Sequence, residues 1–62
     1  MPIIDVTLME GRSYEKKKAF MQELTQVAIR TLDAKPETVR VILREIDPSH
    51  FCVAGAPRGE SK

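Results

Sequence analysis

Thr38-Val39-Arg40-Val41-Ile42-Leu43-Arg44-Glu45-Ile46 alternates between two sets of side chains. Val39, Val41 and Leu43 fall on one side of an extended chain, and Arg40, Ile42, Arg44 and Ile46 on the other, since a strand turns successive residues to opposite faces. The stretch therefore predicts a strand over 38–46. A second run of the same kind, Ile3-Ile4-Asp5-Val6-Thr7-Leu8-Met9, lies near the N-terminus. It sets Ile4, Val6 and Leu8 against Ile3, Asp5, Thr7 and Met9. The two strands have about thirty residues between them, and the reading of that interval decides how they pair.

The interval reads as a turn and one long helix. Glu10-Gly11-Arg12 makes the turn, with Gly11 free to take a positive φ. Ser13 is a good N-cap, and Glu15 places a carboxylate in the first turn, where the helix dipole favours it. A full capping box is lacking, because the third helical position is Lys16. From Ser13 to Leu32 the apolar residues Phe20, Met21, Leu24, Val27, Ala28 and Leu32 recur at helical spacing. Ile29 falls outside that stripe. Pro36 limits the helix, because the residue before a proline is driven out of the α region. Strand, helix, strand is a βαβ unit with parallel strands and a right-handed crossover. From Pro48 to Pro57 the chain carries Gly55 and the short apolar run Phe51-Cys52-Val53-Ala54, which predicts a short hairpin or extended arm. The fold expected is α/β, a single β-α-β unit with a short C-terminal hairpin, forming one domain over residues 1–62.

One helix covers only one face of such a sheet. The other face holds Ile42 and Ile46 beside Arg40 and Arg44, and parallel sheets are rarely left open to water. A chain of 62 residues buries only about 60% of the surface it would expose unfolded, so it needs outside support. Cys52 is the single cysteine and His50 the single histidine, which excludes an internal disulfide and a structural zinc site. Association with further copies is the remaining route.

The charge balance narrows the partners. Ten basic residues stand against nine acidic ones, for a net charge of +1. The run Lys16-Lys17-Lys18 has no second basic cluster and reads as the solvated side of the helix, so nucleic acid is not an expected partner. No apolar stretch approaches the ~18 residues of a membrane span, and the N-terminus lacks the pattern of a signal peptide. An unpaired cysteine then fits a reducing cytoplasm.

Few residues suit chemistry. Methionine before a small residue is usually trimmed, which would leave Pro2 as a terminal secondary amine. An α-amino group ordinarily has a pKa of about 7.7–8.0, and nearby cations or an apolar wall lower it towards a useful general base. Pro2 also reads simply as the start of an edge strand, where its missing N–H is harmless. Arg12 and Arg40 suit an anionic substrate, since a guanidinium grips a carboxylate at two points. Salt bridges to Glu10, Glu45 or Asp5 are the alternative for both, and Arg44 reads as structural or interfacial. Phe51 suits an apolar wall or plain hairpin packing. His50 and Cys52, as flanking positions of one strand, would share a face, but no Asp or Asn is placed to complete a triad.

The order of these features resembles the 4-oxalocrotonate tautomerase family. The residues that carry the resemblance are Pro2 after the initiator methionine, Glu10-Gly11-Arg12-Ser13, one long helix, Val39-Arg40-Val41-Ile42 and His50-Phe51. It runs from Pro2 to about Gly55. The resemblance implies a tautomerase fold assembled as a hexamer, a trimer of dimers, with each site shared between subunits and with no metal or organic cofactor. It implies that Pro2 is the catalytic base, moving a proton between the hydroxyl end and a distant carbon of a dienol. Arg12 would hold the far carboxylate of a small dicarboxylate. Arg40 would bind the near carboxylate and the 2-oxo oxygen, and Phe51 would wall the site. A 2-hydroxymuconate-type reaction in aromatic hydrocarbon catabolism is the leading expectation. The chain departs from close relatives at Cys52-Val53-Ala54-Gly55 and in the tail Ala56-Pro57-Arg58-Gly59-Glu60, which bears on loop shape and substrate preference. Two other readings stand beside it. A hydratase or dehalogenase on the same scaffold would need Glu10 or Glu45 to activate water, and a non-catalytic oligomeric binding protein would retain Met1.

Overall fold

In a computed structural model, which describes residues 1–59, the chain runs β1 (Ile3–Met9), α1 (Tyr14–Leu32), a 3-10 turn (Pro36–Thr38) and β2 (Arg40–Ile46). A second 3-10 turn (Pro48–His50) and a two-residue hairpin, β3 (Cys52–Val53) and β4 (Ala56–Pro57), follow. Strands β1 and β2 pair in parallel across the α1 crossover, as the spacing predicts, and β3 and β4 pair antiparallel. Glu60, the last residue of the expected divergent tail, lies outside the described residues.

Local chemistry sets the joints. Ser13 caps α1, its Oγ accepting from the Lys16 N–H at 3.3 Å. Gly11, before it, has φ +129°, a value that side-chain-bearing residues rarely adopt. The helix ends at Asp33, which takes a left-handed φ of 56°, before the proline is reached. Pro36 instead opens the 3-10 turn, where a missing N–H leaves no bond unmade. That turn corrects the expected start of the second strand. Thr38 is held in it by its N–H and its hydroxyl, which donate to the Lys35 carbonyl at 2.9 and 2.8 Å. The Val39 N–H donates to the Pro36 carbonyl at 3.2 Å, so the ladder begins at Arg40.

The register pairs Ile4 with Val41, Val6 with Leu43 and Leu8 with Glu45 on the face that α1 covers. Ile3 with Arg40, Asp5 with Ile42, Thr7 with Arg44 and Met9 with Ile46 occupy the other face, and no element lies over it among the described residues. The inward side of α1 is rotated from the expected stripe. Lys17, Met21, Leu24, Thr25 and Ile29 are half-buried around Ala28, while Phe20, Val27 and Leu32 are exposed. Lys17 turns inward because Glu45 waits across the interface, and their ion pair measures 3.0 Å. Only the two outer lysines of the 16–18 run belong to the solvated face.

The core is small. Ala28 is the one buried apolar residue among those described, and Ile3, Phe20, Val27, Ile42 and Phe51 are all more than a third exposed. The chain exposes 4845 Å², where a compact monomer of 7.0 kDa would expose about 4,000 Å². Its radius of gyration is 14.8 Å, against about 11 Å for a compact chain of this length. On both measures the chain is more extended than a compact monomer of its size. No helix of the described residues is long and apolar enough to cross a membrane.

Candidate functional site

Pro2 stands immediately before β1, half-buried, where its lack of an N–H costs no ladder bond. Its carbonyl accepts the Arg40 N–H at 3.0 Å, so Pro2 and Arg40 meet on the first rung of the sheet. Met1 precedes it and is 76% exposed. With Met1 in place the Pro2 nitrogen belongs to a peptide bond, and its lone pair is delocalised rather than basic.

Arg40 lies on the open face, opposite Ile3. Its Nη1 donates to the Glu37 carbonyl at 2.7 Å and, more weakly, to that of Val39 at 3.5 Å. Arg12 follows the Gly11 turn, and its Nη1 makes one long contact, 3.4 Å, to the Met9 carbonyl. Neither arginine has a carboxylate partner among the described residues. Two of the three carboxylates considered for them are engaged elsewhere. Asp5 takes Arg44 and Glu45 takes Lys17.

Phe51 is 39% exposed and sits where the second 3-10 turn meets the hairpin. Its N–H donates to the Pro48 carbonyl at 3.1 Å, and its own carbonyl accepts from the Arg58 N–H at 2.9 Å. Gly59 then runs against the backbone of Pro48 and Ser49 so closely that a β-carbon would collide with it. These contacts tie the arm into a hook with Phe51 on it. Asp47 caps the 3-10 turn, and the Ser49 N–H at 2.9 Å holds its carboxyl below the ordinary range. His50 ends that turn whereas Cys52 opens β3, so the two do not flank one another in a strand as expected. Both are exposed. No cluster of three metal-ligating side chains occurs among the described residues.

The four candidates therefore do not form one site within a chain. Pro2 and Arg40 share the end where both parallel strands begin, and Arg12 and Phe51 lie beyond the end where they finish. A seven-residue strand separates the two ends by about 20 Å. Each end holds two of the four residues considered for a base, a two-point anion clamp and an apolar wall.

Two features are not apparent from the sequence. Arg12 lines a cavity of about 290 Å³ with Leu8, Lys16, Lys17 and Phe20, which gives it a cationic neighbour in Lys16. Asp5 and Arg44 form a two-point ion pair on the open face, Nε to Oδ1 at 2.9 Å and Nη2 to Oδ2 at 3.0 Å. The signal for the pair lies in the register, which sets Arg44 diagonally across from Asp5 once both strand starts are known.

Residues 2–60 match the family model described as tautomerase enzyme. A probable tautomerase of Ralstonia nicotianae is 50% identical over 62 residues, covering 100% of this chain and 89% of that protein. The 2-hydroxymuconate tautomerase of Pseudomonas putida is 42% identical over 57 residues, covering 92% and 90%. Among solved structures, a heterohexamer 4-oxalocrotonate tautomerase from Chloroflexus aurantiacus superposes with a TM-score of 0.92, at 32% identity and with full cover of both chains.

Proposed function

This chain belongs to the tautomerase family and is an isomerase, and on that premise we propose that it interconverts the enol and keto forms of a small unsaturated 2-oxo/2-hydroxy dicarboxylate. The observation that carries this reading is the hydrogen bond between the Arg40 N–H and the Pro2 carbonyl. It sets a guanidinium-bearing residue one rung from the nitrogen that becomes an amine when Met1 is removed.

The proposed mechanism follows from that pairing. Pro2, as a neutral secondary amine, takes the hydroxyl proton of the enol and returns a proton to a distant carbon of the conjugated system. Arg40, beside it, binds the near carboxylate and the 2-oxo oxygen, where negative charge gathers in the transition state. Arg12 holds the far carboxylate, and its long hydrogen bond to a carbonyl is readily exchanged for a charged partner. Phe51 walls the site and disfavours the charged form of the amine. Because Arg12 and Phe51 lie at the far end of their own sheet, they serve the Pro2 of another copy. The proposed assembly is thus a homo-oligomer, hexameric as a trimer of dimers, each chain one domain over 1–62. It needs no cofactor and acts in the cytoplasm, on a 2-hydroxymuconate-type substrate of aromatic catabolism.

Ultraviolet absorbance follows the ketonisation of 2-hydroxymuconate directly. We expect Pro2→Ala to lower kcat/KM by about a hundredfold or more, the usual scale for losing a positioned base. Unchanged turnover in that variant would refute the assignment.

A further inference from the structure

We infer that the Asp5–Arg44 ion pair is the polar determinant by which the open sheet face docks against the same face of further copies of this chain; the inference rests on the oligomeric reading proposed above. The pair lies in the middle of that face. Ile42 is directly opposite Asp5 in the register, Ile3 precedes it on the same side of β1, and Ile46 follows Arg44 on β2. Apolar surface of this kind is costly to leave in water, yet two formal charges stand within it.

The geometry resolves the conflict. Both charges belong to one chain and meet at two points, 2.9 and 3.0 Å, so the pair enters an interface already neutral. The Arg44 and Asp5 side chains are 60% and 45% exposed in the lone chain, leaving N–H groups and oxygen lone pairs free to bond across a junction. The other cation on the face, Arg40, is at its rim and turned back onto the Glu37 carbonyl. Ion pairs that meet across a junction admit a copy with the complementary arrangement and penalise one that brings like charges together.

The proposed occupant is a second copy for two reasons beyond the apolar surface. The chain is too extended to be a finished monomer, with a radius of gyration of 14.8 Å. Its candidate site residues are also split between the two ends of the sheet, so a site can be completed only from another copy.

The test uses the full chain with Asp5→Arg and Arg44→Asp made separately, observed by light scattering and native mass spectrometry. Each variant carries like charges at both positions, and each is expected to need a concentration about tenfold or more above that of the unmodified chain to assemble. An equimolar mixture is expected to assemble again, in particles containing both masses, because the two cations at positions 5 and 44 of one variant then meet the two carboxylates at those positions of the other. The double swap Asp5→Arg/Arg44→Asp, expected to assemble like the unmodified chain, guards against simple misfolding of the single variants. Single variants that assemble normally would overturn the inference while leaving the enzyme assignment intact. So would a mixture that fails to recover where the double swap succeeds. An unmodified chain that stays monomeric would overturn both.

Discussion

The two faces of the β1–β2 sheet are built to one pattern and finished differently. Each carries branched aliphatic residues with one cross-element or cross-strand ion pair. On the covered face Ile4, Val6, Val41 and Leu43 lie under α1, and Lys17 reaches Glu45 from the helix. On the open face Ile3 and Ile42 are 63% and 41% exposed, and the ion pair joins β1 to β2 instead. Alternation in a strand says that two faces exist, but it does not say where the cover for each comes from. Among the described residues the chain carries its own cover for one face and none for the other. The uncovered face and the separation of the four candidate residues have the same physical origin, because a single βαβ unit is too small to enclose either.

Substitutions of equal size on the two faces should separate these roles. Leu43→Ala opens a gap under α1 and is expected to cost about 2–4 kcal/mol at any protein concentration, as large-to-small changes in packed positions do. Ile42→Ala, next in sequence but on the open face, is expected to show a cost that shrinks as the chain is diluted below its assembly range. Chemical denaturation at several protein concentrations reads both. A concentration-independent loss at Ile42 would mean that the open face is packed within the chain.

Acid sharpens the contrast by a smaller effect. Arg44 hydrogen-bonds the Asp5 carboxylate and holds its pKa below the ordinary 3.8. A carboxyl whose folded pKa is depressed contributes stability that is present above its unfolded value and lost as pH falls through the folded one. The pair should therefore begin to fail below about pH 3.8 and go on failing as pH falls further. Circular dichroism of the chain and of Asp5→Asn during acid titration tests this. The variant should be less stable near neutrality and should lose less on acidification. Parallel acid profiles would mean that the pair adds nothing to stability.

Much of the fold is legible because alternation, an N-cap and a parallel crossover are local or nearly local signals. The bounds of β1 and the capping role of Ser13 follow from neighbouring residues alone. The start of β2 does not, because Thr38 bonds back to Lys35 in a 3-10 turn opened by Pro36, an arrangement that a β-branched stretch conceals. The inward stripe of the helix is obscured because Lys17 counts as polar, although Glu45 gives it a partner inward, and because Phe20 and Val27 are apolar without being buried. The four site candidates are recognisable as residue types and by their order along the chain. Their division between opposite ends of the sheet follows only once the parallel pairing read from the crossover is combined with the rise of about 20 Å between those ends.

That division is the most direct point of attack. Pro2→Ala and Arg12→Gln chains, each purified and assayed alone on 2-hydroxymuconate, should both be nearly inactive. Unfolded together and refolded as mixed oligomers, they should recover activity in about a quarter of the sites, those that draw Pro2 from one chain and Arg12 from another. Recovery near that level is what a site shared between copies predicts. No recovery in mixtures shown by native mass spectrometry to contain both chains would mean that Pro2 and Arg12 serve the same chain, and would contradict a site divided between copies.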